Sequence, residues 1–266
     1  TMPANPQCPF LITLSPAKRF HEIKAATATA SSSSFTLPHF MPQADTLAAD
    51  LQKLSANDIS QLMDISDAIA TLNHQRYQDY QPLQHTAYPA GYLFAGDAYK
   101  TLDMASFSDE AINRCQTSLF ILSGLYGLLR PLDLIQPYRL EMGSRTKSYL
   151  GSDLYAYWGN QLADHVNQHA SKYALTHHIN LASSEYAKAL PKHAIDIPTI
   201  DIVFGEPKGQ DFKVVGIKAK KARGLMTRYI LTQPCKTLED IRAFSDGYSL
   251  STHHSTSTRL VFIATA

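Results

Sequence analysis

The sequence predicts a mixed α/β (α+β) fold built as a single compact domain. Three observations predict it. Short apolar and β-branched runs, such as Phe10-Leu-Ile-Thr-Leu14 and residues 195–204, alternate with stretches of helical periodicity along the whole chain. The 266 residues amount to one or two domains by length, and no composition break cuts them. Hydrophobic residues make up 44% and charged residues 18%, which excludes a disordered chain, a collagen and a coiled coil.

The elements follow in order. Phe10-Leu-Ile-Thr-Leu14 reads as a buried strand stopped by Ser15-Pro16. The N-terminal extension 1–9 and the Ala/Ser/Thr-rich loop 25–34 read as mobile. Leu47, Leu51 and Leu54 recur at helical spacing, and Ile59, Leu62, Ile65, Ile69 and Leu72 do so again. Ser55-Ala-Asn-Asp58 separates the two predicted helices and supplies cap residues. A nucleic-acid hairpin uses turn glycines to bring backbone N–H groups to phosphate. This turn has none, so two packed core helices are the preferred reading. Residues 88–94 are expected as a strand, 107–115 as a helix capped by Ser108, and 118–122 as a strand or buried helix start. Residues 155–170 read as one helix, and 179–182, 195–204 and 212–219 read as strands. Residues 220–232 read as a helix, 237–244 as a short helix opened by a Thr237/Asp240 capping box, and 260–263 as a last strand.

Several function classes are excluded or weakened. The longest apolar stretch, 119–129, is too short to span a bilayer. The first lysine is Lys18, so the N-terminus lacks the basic region of a signal peptide. Three cysteines, Cys8, Cys115 and Cys235, form no C-x-x-C pair, and a reduced, cytoplasmic compartment is expected. No Walker loop, dinucleotide fingerprint or G-x-S-x-G elbow is present, so no standard catalytic motif supports an enzyme. His165 and His169 share a helix face without a third ligand or a nearby base, and read as solvent-side histidines. The doublets His177-His178 and His253-His254 read the same way. No metal site and no cofactor are expected.

Charge is distributed unevenly. Residues 1–110 carry 6 basic and 11 acidic side chains; residues 111–266 carry 18 and 12. Lys213, Lys218, Lys220, Lys221, Arg223 and Arg228 follow one another with no acid between them. Such a run is a solvated helix face or a surface turned towards a polyanion. Residues 122–143 embed Arg130, Asp133, Arg139 and Glu141 among apolar neighbours. Either Arg130–Asp133 and Arg139–Glu141 are internal ion pairs, or they line a cleft for a polar ligand. Lys18 follows a strand, and Glu185 and Lys188 follow another. Glu185 is a general base or a first-turn acid favoured by the helix dipole.

Seven blocks run in order along the chain: Leu14-Ser-Pro-Ala-Lys18, Phe94-Ala-Gly-Asp97 with Tyr99, Leu122-Ser-Gly-Leu-Tyr-Gly127, Arg130-Pro-Leu-Asp133, Pro137-Tyr-Arg-Leu-Glu-Met-Gly143, Asn180-Leu-Ala-Ser183 with Glu185-Tyr186, and Lys220-Lys-Ala-Arg-Gly-Leu-Met226 with Arg228. Together they resemble the YaaA family of peroxide-stress-resistance proteins. The resemblance implies a cytoplasmic protein of the oxidative stress response that limits free iron and protects DNA from hydrogen peroxide. It implies a topology unlike the common superfolds, and DNA bound without sequence specificity through a basic cleft and a helix-hairpin-helix element at 47–72. Candidate phosphate-binding residues on this chain are Lys18, Arg130, Arg139, Lys188, Lys218, Lys220, Lys221, Arg223 and Arg228. The alternative is an enzyme acting on nucleic acid or a phosphorylated small molecule, with Asp133, Glu141 or Glu185 in acid–base roles.

Overall fold

The computed structural model describes residues 8–22, 35–82 and 87–266. Residues 1–7 of the expected extension and all of the expected loop 25–34 lie outside the described residues. Cys8, by contrast, is buried, and the Pro9 carbonyl accepts a hydrogen bond from Thr176 N.

In chain order the elements are β1 (Phe10–Leu14), α1 (Met41–Gln52), α2 (Ala56–Met63), α3 (Asp67–Asp79), β2 (Tyr88–Pro89), α4 (Ala90–Leu93), α5 (Asp97–Leu102) and α6 (Asp109–Ser118). Next come β3 (Leu119–Ser123), β4 (Gly127–Leu129), β5 (Leu134–Ile135), α7 (Lys147–Leu150), α8 (Leu154–Trp158) and α9 (Gln161–Lys172). The chain closes with β6 (His177–Asn180), α10 (Ser184–Ala187), β7 (Thr199–Lys208), β8 (Asp211–Lys213), α11 (Gly216–Thr232), α12 (Leu238–Arg242), β9 (Tyr248–Leu250) and β10 (Arg259–Ala264).

The main sheet runs β4-β3-β1-β6-β7-β10-β9, with β8 added to β7. Its centre is parallel: β1 pairs with both β3 and β6, β6 with β7, and β7 with β10. The strands β4 and β9 are antiparallel edges. Taken in chain order, the five parallel strands stand 2-1-3-4-5, an order of doubly wound sheets. The chain leaves that plan in residues 15–118, whose described part inserts five α-helices before α6, and at its antiparallel edges. Phe10, Leu11, Ile12 and Leu14 of β1 are all about 1% exposed or less, as a strand covered on both faces requires. The buried residues form one contiguous core.

Local chemistry explains where the elements depart from the periodicity. Three helices stand where two were expected between 47 and 72. Ser55 and Asp58 form a capping box that starts α2. Asp64 then takes a left-handed conformation, and the Ser66 hydroxyl caps α3 through Ile69 N. Ile69 and Leu72 consequently face solvent, at 37% and 51% exposure, instead of continuing the apolar stripe. The expected helix 155–170 is broken into α8 and α9 at Gly159, whose φ of 50° ends the first. The expected strand 88–94 is two residues of strand and one helical turn. The expected strand 212–219 stops at Lys213, and α11 begins at Gly216, so Lys220 and Lys221 lie a turn inside the helix. Ser108 caps α6, and Thr237 and Asp240 form the expected box on α12.

The helices α5 and α11 meet at Gly224. A methyl group there would lie 2.0 Å from the Ala98 carbonyl oxygen and 2.1 Å from Thr101 Oγ1. The Gly224→Ala variant is therefore expected to lose about 1–3 kcal/mol of unfolding free energy by overpacking. Gly216→Ala, at the open start of the same helix, meets nothing within 4 Å. It is expected to be neutral or stabilising by about 0.4–1 kcal/mol. Urea unfolding of both variants measures the contrast; equal effects would contradict the packing argument.

Candidate functional site

The strand order reverses between β1 and β6. The loops leaving their carboxyl ends run in opposite directions and leave a crevice between them. A cavity of about 310 Å³ occupies that crevice. Its walls come from the loop after β1, the start of α5, residues 138–141, the segment after β6 and the middle of α11. Ser15 and Ser183 tie the two strand ends together: Ser183 N donates to Ser15 Oγ at 2.8 Å, and the two hydroxyls lie 3.2 Å apart. Tyr99 Oη donates to the Ser15 carbonyl at 2.7 Å and anchors α5 to the same loop.

Five cations reach the cavity: Lys18, Arg19, Arg139, Lys220 and Arg223. Three carboxylates face them, Asp97, Glu141 and Glu185. Glu141 Oε1 lies 3.4 Å from both Lys18 Nζ and Arg139 Nη2. Those contacts are ion pairs at angles that make no hydrogen bond, and Arg139 Nε is also buried without a hydrogen-bond partner. Tyr77 Oη donates to the Arg139 carbonyl and holds that backbone in place. Glu185 Oε2 accepts from Gly143 N at 2.8 Å, fixing the carboxylate against the 137–143 segment. Among the described residues, Arg223 has no carboxylate within ion-pair distance. Burial pushes its pKa down with no charge partner to offset the cost.

The remaining candidates stand elsewhere. Arg130 pairs with Asp133 at 3.4 Å outside the cavity. Asp133 accepts from Thr36 Oγ1 at 2.6 Å and from Arg130 N at 2.7 Å, so it braces a turn. Burial raises its pKa to about 6 despite those bonds. Arg228 caps α5 through the Leu102 and Asp103 carbonyls and stacks its guanidinium over Phe107. Lys218 pairs with Glu206 at 3.7 Å. Lys221 is exposed outside the cavity wall. Of the two alternatives left open for residues 122–143, each holds for one pair: Arg130–Asp133 is internal, and Arg139–Glu141 lines the cleft. The sequence reading missed Arg19, next to a named candidate, and Asp97, whose only signal is its place in a block resembling the YaaA family.

A second, more open groove of about 660 Å³ lies on the other side of the 180–188 segment. Lys188 lines this groove instead of the first cavity. Its floor holds His178, which was expected at the surface and is 3% exposed. His178 Nε2 lies 2.8 Å from Thr13 Oγ1 and Nδ1 lies 3.0 Å from Thr199 Oγ1, so the ring bridges β1 and β7. His165 and His169 are likewise not solvent-side. His165 stacks on His39 with ring centroids 3.8 Å apart, and His169 Nε2 bonds the Thr117 carbonyl at 2.7 Å. Among the described residues no three His, Cys, Asp or Glu side chains are grouped to hold a metal ion. None of the described helices is long and apolar enough to cross a membrane.

Comparison with known proteins gives a consistent family. Residues 10–254 match the profile of the family described as peroxide stress protein YaaA. A UPF0246 protein of Marinomonas sp. strain MWYL1 is 43% identical over 254 residues, covering 94% of this chain and 95% of that protein. A UPF0246 protein of Aliivibrio fischeri strain MJ11 is 41% identical, covering 95% and 97%. One of Hahella chejuensis is 43% identical, covering 90% and 93%.

The buried His178 sets a pH dependence. Burial holds its pKa down at about 4, below the unfolded value of about 6.5. Its contribution to stability is complete above pH 6.5 and is lost as pH falls towards 4. Asp133 acts oppositely, losing its contribution as pH rises through 6. His178→Gln should therefore cut the stability lost between pH 6.5 and 4.5 by roughly 2–3 kcal/mol. Chemical denaturation at both pH values checks this; an unchanged difference in the variant would contradict it.

Proposed function

This chain belongs to the YaaA family of peroxide stress proteins, and from that premise we propose that it protects DNA during peroxide stress by binding it without sequence preference through the basic cleft at the carboxyl ends of β1 and β6. The observation that carries this reading is the convergence of Lys18, Arg19, Arg139, Lys220 and Arg223, from three separate segments, on one crevice. Exposed lysines and forked guanidinium groups attract phosphate, and contacts to the backbone carry no sequence information. Arg139 is held ready by Glu141 and Tyr77, so little side-chain entropy is lost on binding. The reading rests on the cleft and not on the α1–α3 helices, because the cation of their first turn, Lys53, is paired with Asp50. Protection from free iron would then act at the DNA, by shielding the backbone where iron-generated radicals form. Three buried, free cysteines suit a reducing cytoplasm.

One observation favours a second reading, an enzyme acting on nucleic acid or on a phosphorylated small molecule. Asp97, Glu141 and Glu185 stand in a cavity of small-molecule size at a strand-order switch point, where doubly wound sheets bind their ligands. Incubation with nucleotides and labelled oligonucleotides, followed by chromatography, tests it. Turnover lost in Glu185→Gln supports the enzyme, and unchanged substrates refute it.

The DNA reading predicts a salt slope. Lys18→Ala with Lys220→Ala should weaken binding to duplexes of unrelated sequence alike and flatten the slope of log affinity against log salt by roughly two units. Lys221→Ala, on the same helix outside the cavity, should leave the slope unchanged. Melting temperature should move little, because both lysines are exposed. Equal effects of the double variant and Lys221→Ala would remove the cleft from the reading.

A further inference from the structure

Away from the cleft, part of one face of the main sheet is open. His178 and Asn180 of β6, Thr199, Asp201 and Val203 of β7, and Arg259 of β10 share that face. The register sets His178 beside Thr199, and both Asn180 and Arg259 beside Asp201. Parallel strands are ordinarily covered on both faces. Over this patch the described residues leave the groove of about 660 Å³. Asn180, Asp201 and Val203 are accordingly only half-buried, and Arg259 is exposed.

The floor of the groove is chemically complete. The His178 ring sits between the Thr13 and Thr199 hydroxyls, and burial keeps it neutral. Asp201 is neutralised by Lys192 and accepts from Asn180 Nδ2 at 2.9 Å. Among the described residues, no buried side-chain polar atom of this floor lacks a hydrogen-bond partner. The floor therefore carries no net charge and demands no polar partner from a ligand.

The rest of the lining is mainly apolar. Ala187 and Pro191 come from the segment after β6, Val203 from β7, and Val214 from the turn before α11, and all four are at least partly exposed. Val214 is 53% exposed, and Ile217, three positions on in the first turn of α11, is 61% exposed. Apolar side chains left in water at a groove mark a surface that another molecule covers. Two cations accompany them. Lys188 and Arg259 line the groove, exposed, with no carboxylate within ion-pair distance among the described residues.

Size and lining together select the ligand. About 660 Å³ lies within the range of small-molecule pockets, which are mostly apolar with a few placed polar groups. The apolar lining favours a hydrocarbon or aromatic body, and the two unpaired cations favour an anionic head over a neutral or cationic one. We propose that the groove is a second ligand site, separate from the cleft, for a free small amphiphilic anion, with its apolar body against Ala187, Pro191, Val203 and Val214 and its carboxylate facing Lys188 and Arg259. This site goes beyond the DNA-binding reading and does not rest on it. Arg223, which lines both spaces, has no part in the test.

The full chain is titrated with anilinonaphthalene sulfonate, an aromatic anion that fluoresces in apolar surroundings. The bound probe is then displaced with decanoate, decanol or decyltrimethylammonium, each below its micelle concentration. Decanoate is expected to displace the probe at about tenfold lower concentration than the alcohol or the cation, as two partly solvated ion contacts supply. Lys188→Ala with Arg259→Ala should remove that advantage, weakening decanoate by about tenfold and leaving decanol unchanged. Val214→Asp, at an exposed position, should weaken both the probe and decanoate, because it sets a carboxylate among the apolar contacts. Both variants should keep the melting temperature of the unaltered chain, because the three side chains are exposed. Absence of probe binding, equal displacement by the cation, or unchanged decanoate affinity in both variants overturns the proposal. Phosphatidylglycerol vesicles present the same chemistry in a membrane. Sedimentation of the chain with those vesicles, while free decanoate displaces no probe, also overturns it. DNA affinity is not read in any arm, so failure here leaves the reading of the cleft standing.

Discussion

β1 is hydrogen-bonded on both sides by parallel partners, and the rest of the architecture depends on that placement. A parallel strand cannot be reached by a tight turn, so each partner arrives through a long crossover. The crossover to β3 passes to one side of β1, and the later crossover to β6 passes to the other. The loops at the two carboxyl ends diverge, and among the described residues no main-chain segment fills the space between them. Ser15 and Ser183 hold that gap at a fixed width by bonding across it. The cleft is therefore a consequence of strand order, and the insertion 15–118 and helix α11 supply only its outer walls.

The charges in the cleft follow a different logic from those in the core. Asp133 is almost fully buried and is satisfied by a hydroxyl, a backbone N–H and Arg130. Removing any of these would strand a charge in a poorly solvated place. The cleft keeps its cations in excess of its acids, and Arg139 Nε and Arg223 are left incompletely partnered. Buried polar atoms without partners are uncommon in folded proteins, and two of them, Arg139 Nε and Glu141 Oε1, stand in this crevice. The same contrast appears among the histidines. His178 and His165 are packed and held neutral by burial, and they knit strands and helices together.

Much of the frame is legible in the sequence because it is local. The strand Phe10–Leu14, the Ser108 cap, the Thr237/Asp240 box and the strand near the C-terminus follow from residue type and spacing within a few positions. The breaks are local too, but their signals are weaker. Asp64 in a left-handed conformation and Ser66 as a cap outcompete the apolar spacing of Ile65, Ile69 and Leu72. The basic run at 213–228 is visible in the sequence as charge, but not as function. Helical geometry sends Lys220 and Arg223 into the cleft, Lys218 to Glu206 and Arg228 to the end of α5.

The sequence by itself determined a mixed α/β chain with a full core, an acidic first part, a basic second part and a set of polar residues too costly to leave unpaired in a core. It also carried the blocks that make it a member of its family. Only the tertiary structure decided which of those residues meet. Lys18, Asp97, Arg139, Glu185 and Arg223 are far apart in the chain, and the sheet order together with the packing of α5 and α11 brings them within one crevice. Arg130 and Arg139 are chemically alike and nine positions apart, yet one braces a turn and the other lines the cleft. The reason is physical: caps, periodicity and charge act over a few residues, whereas strand pairing is set by the burial of both sheet faces at once. That global condition leaves no signal at any single position.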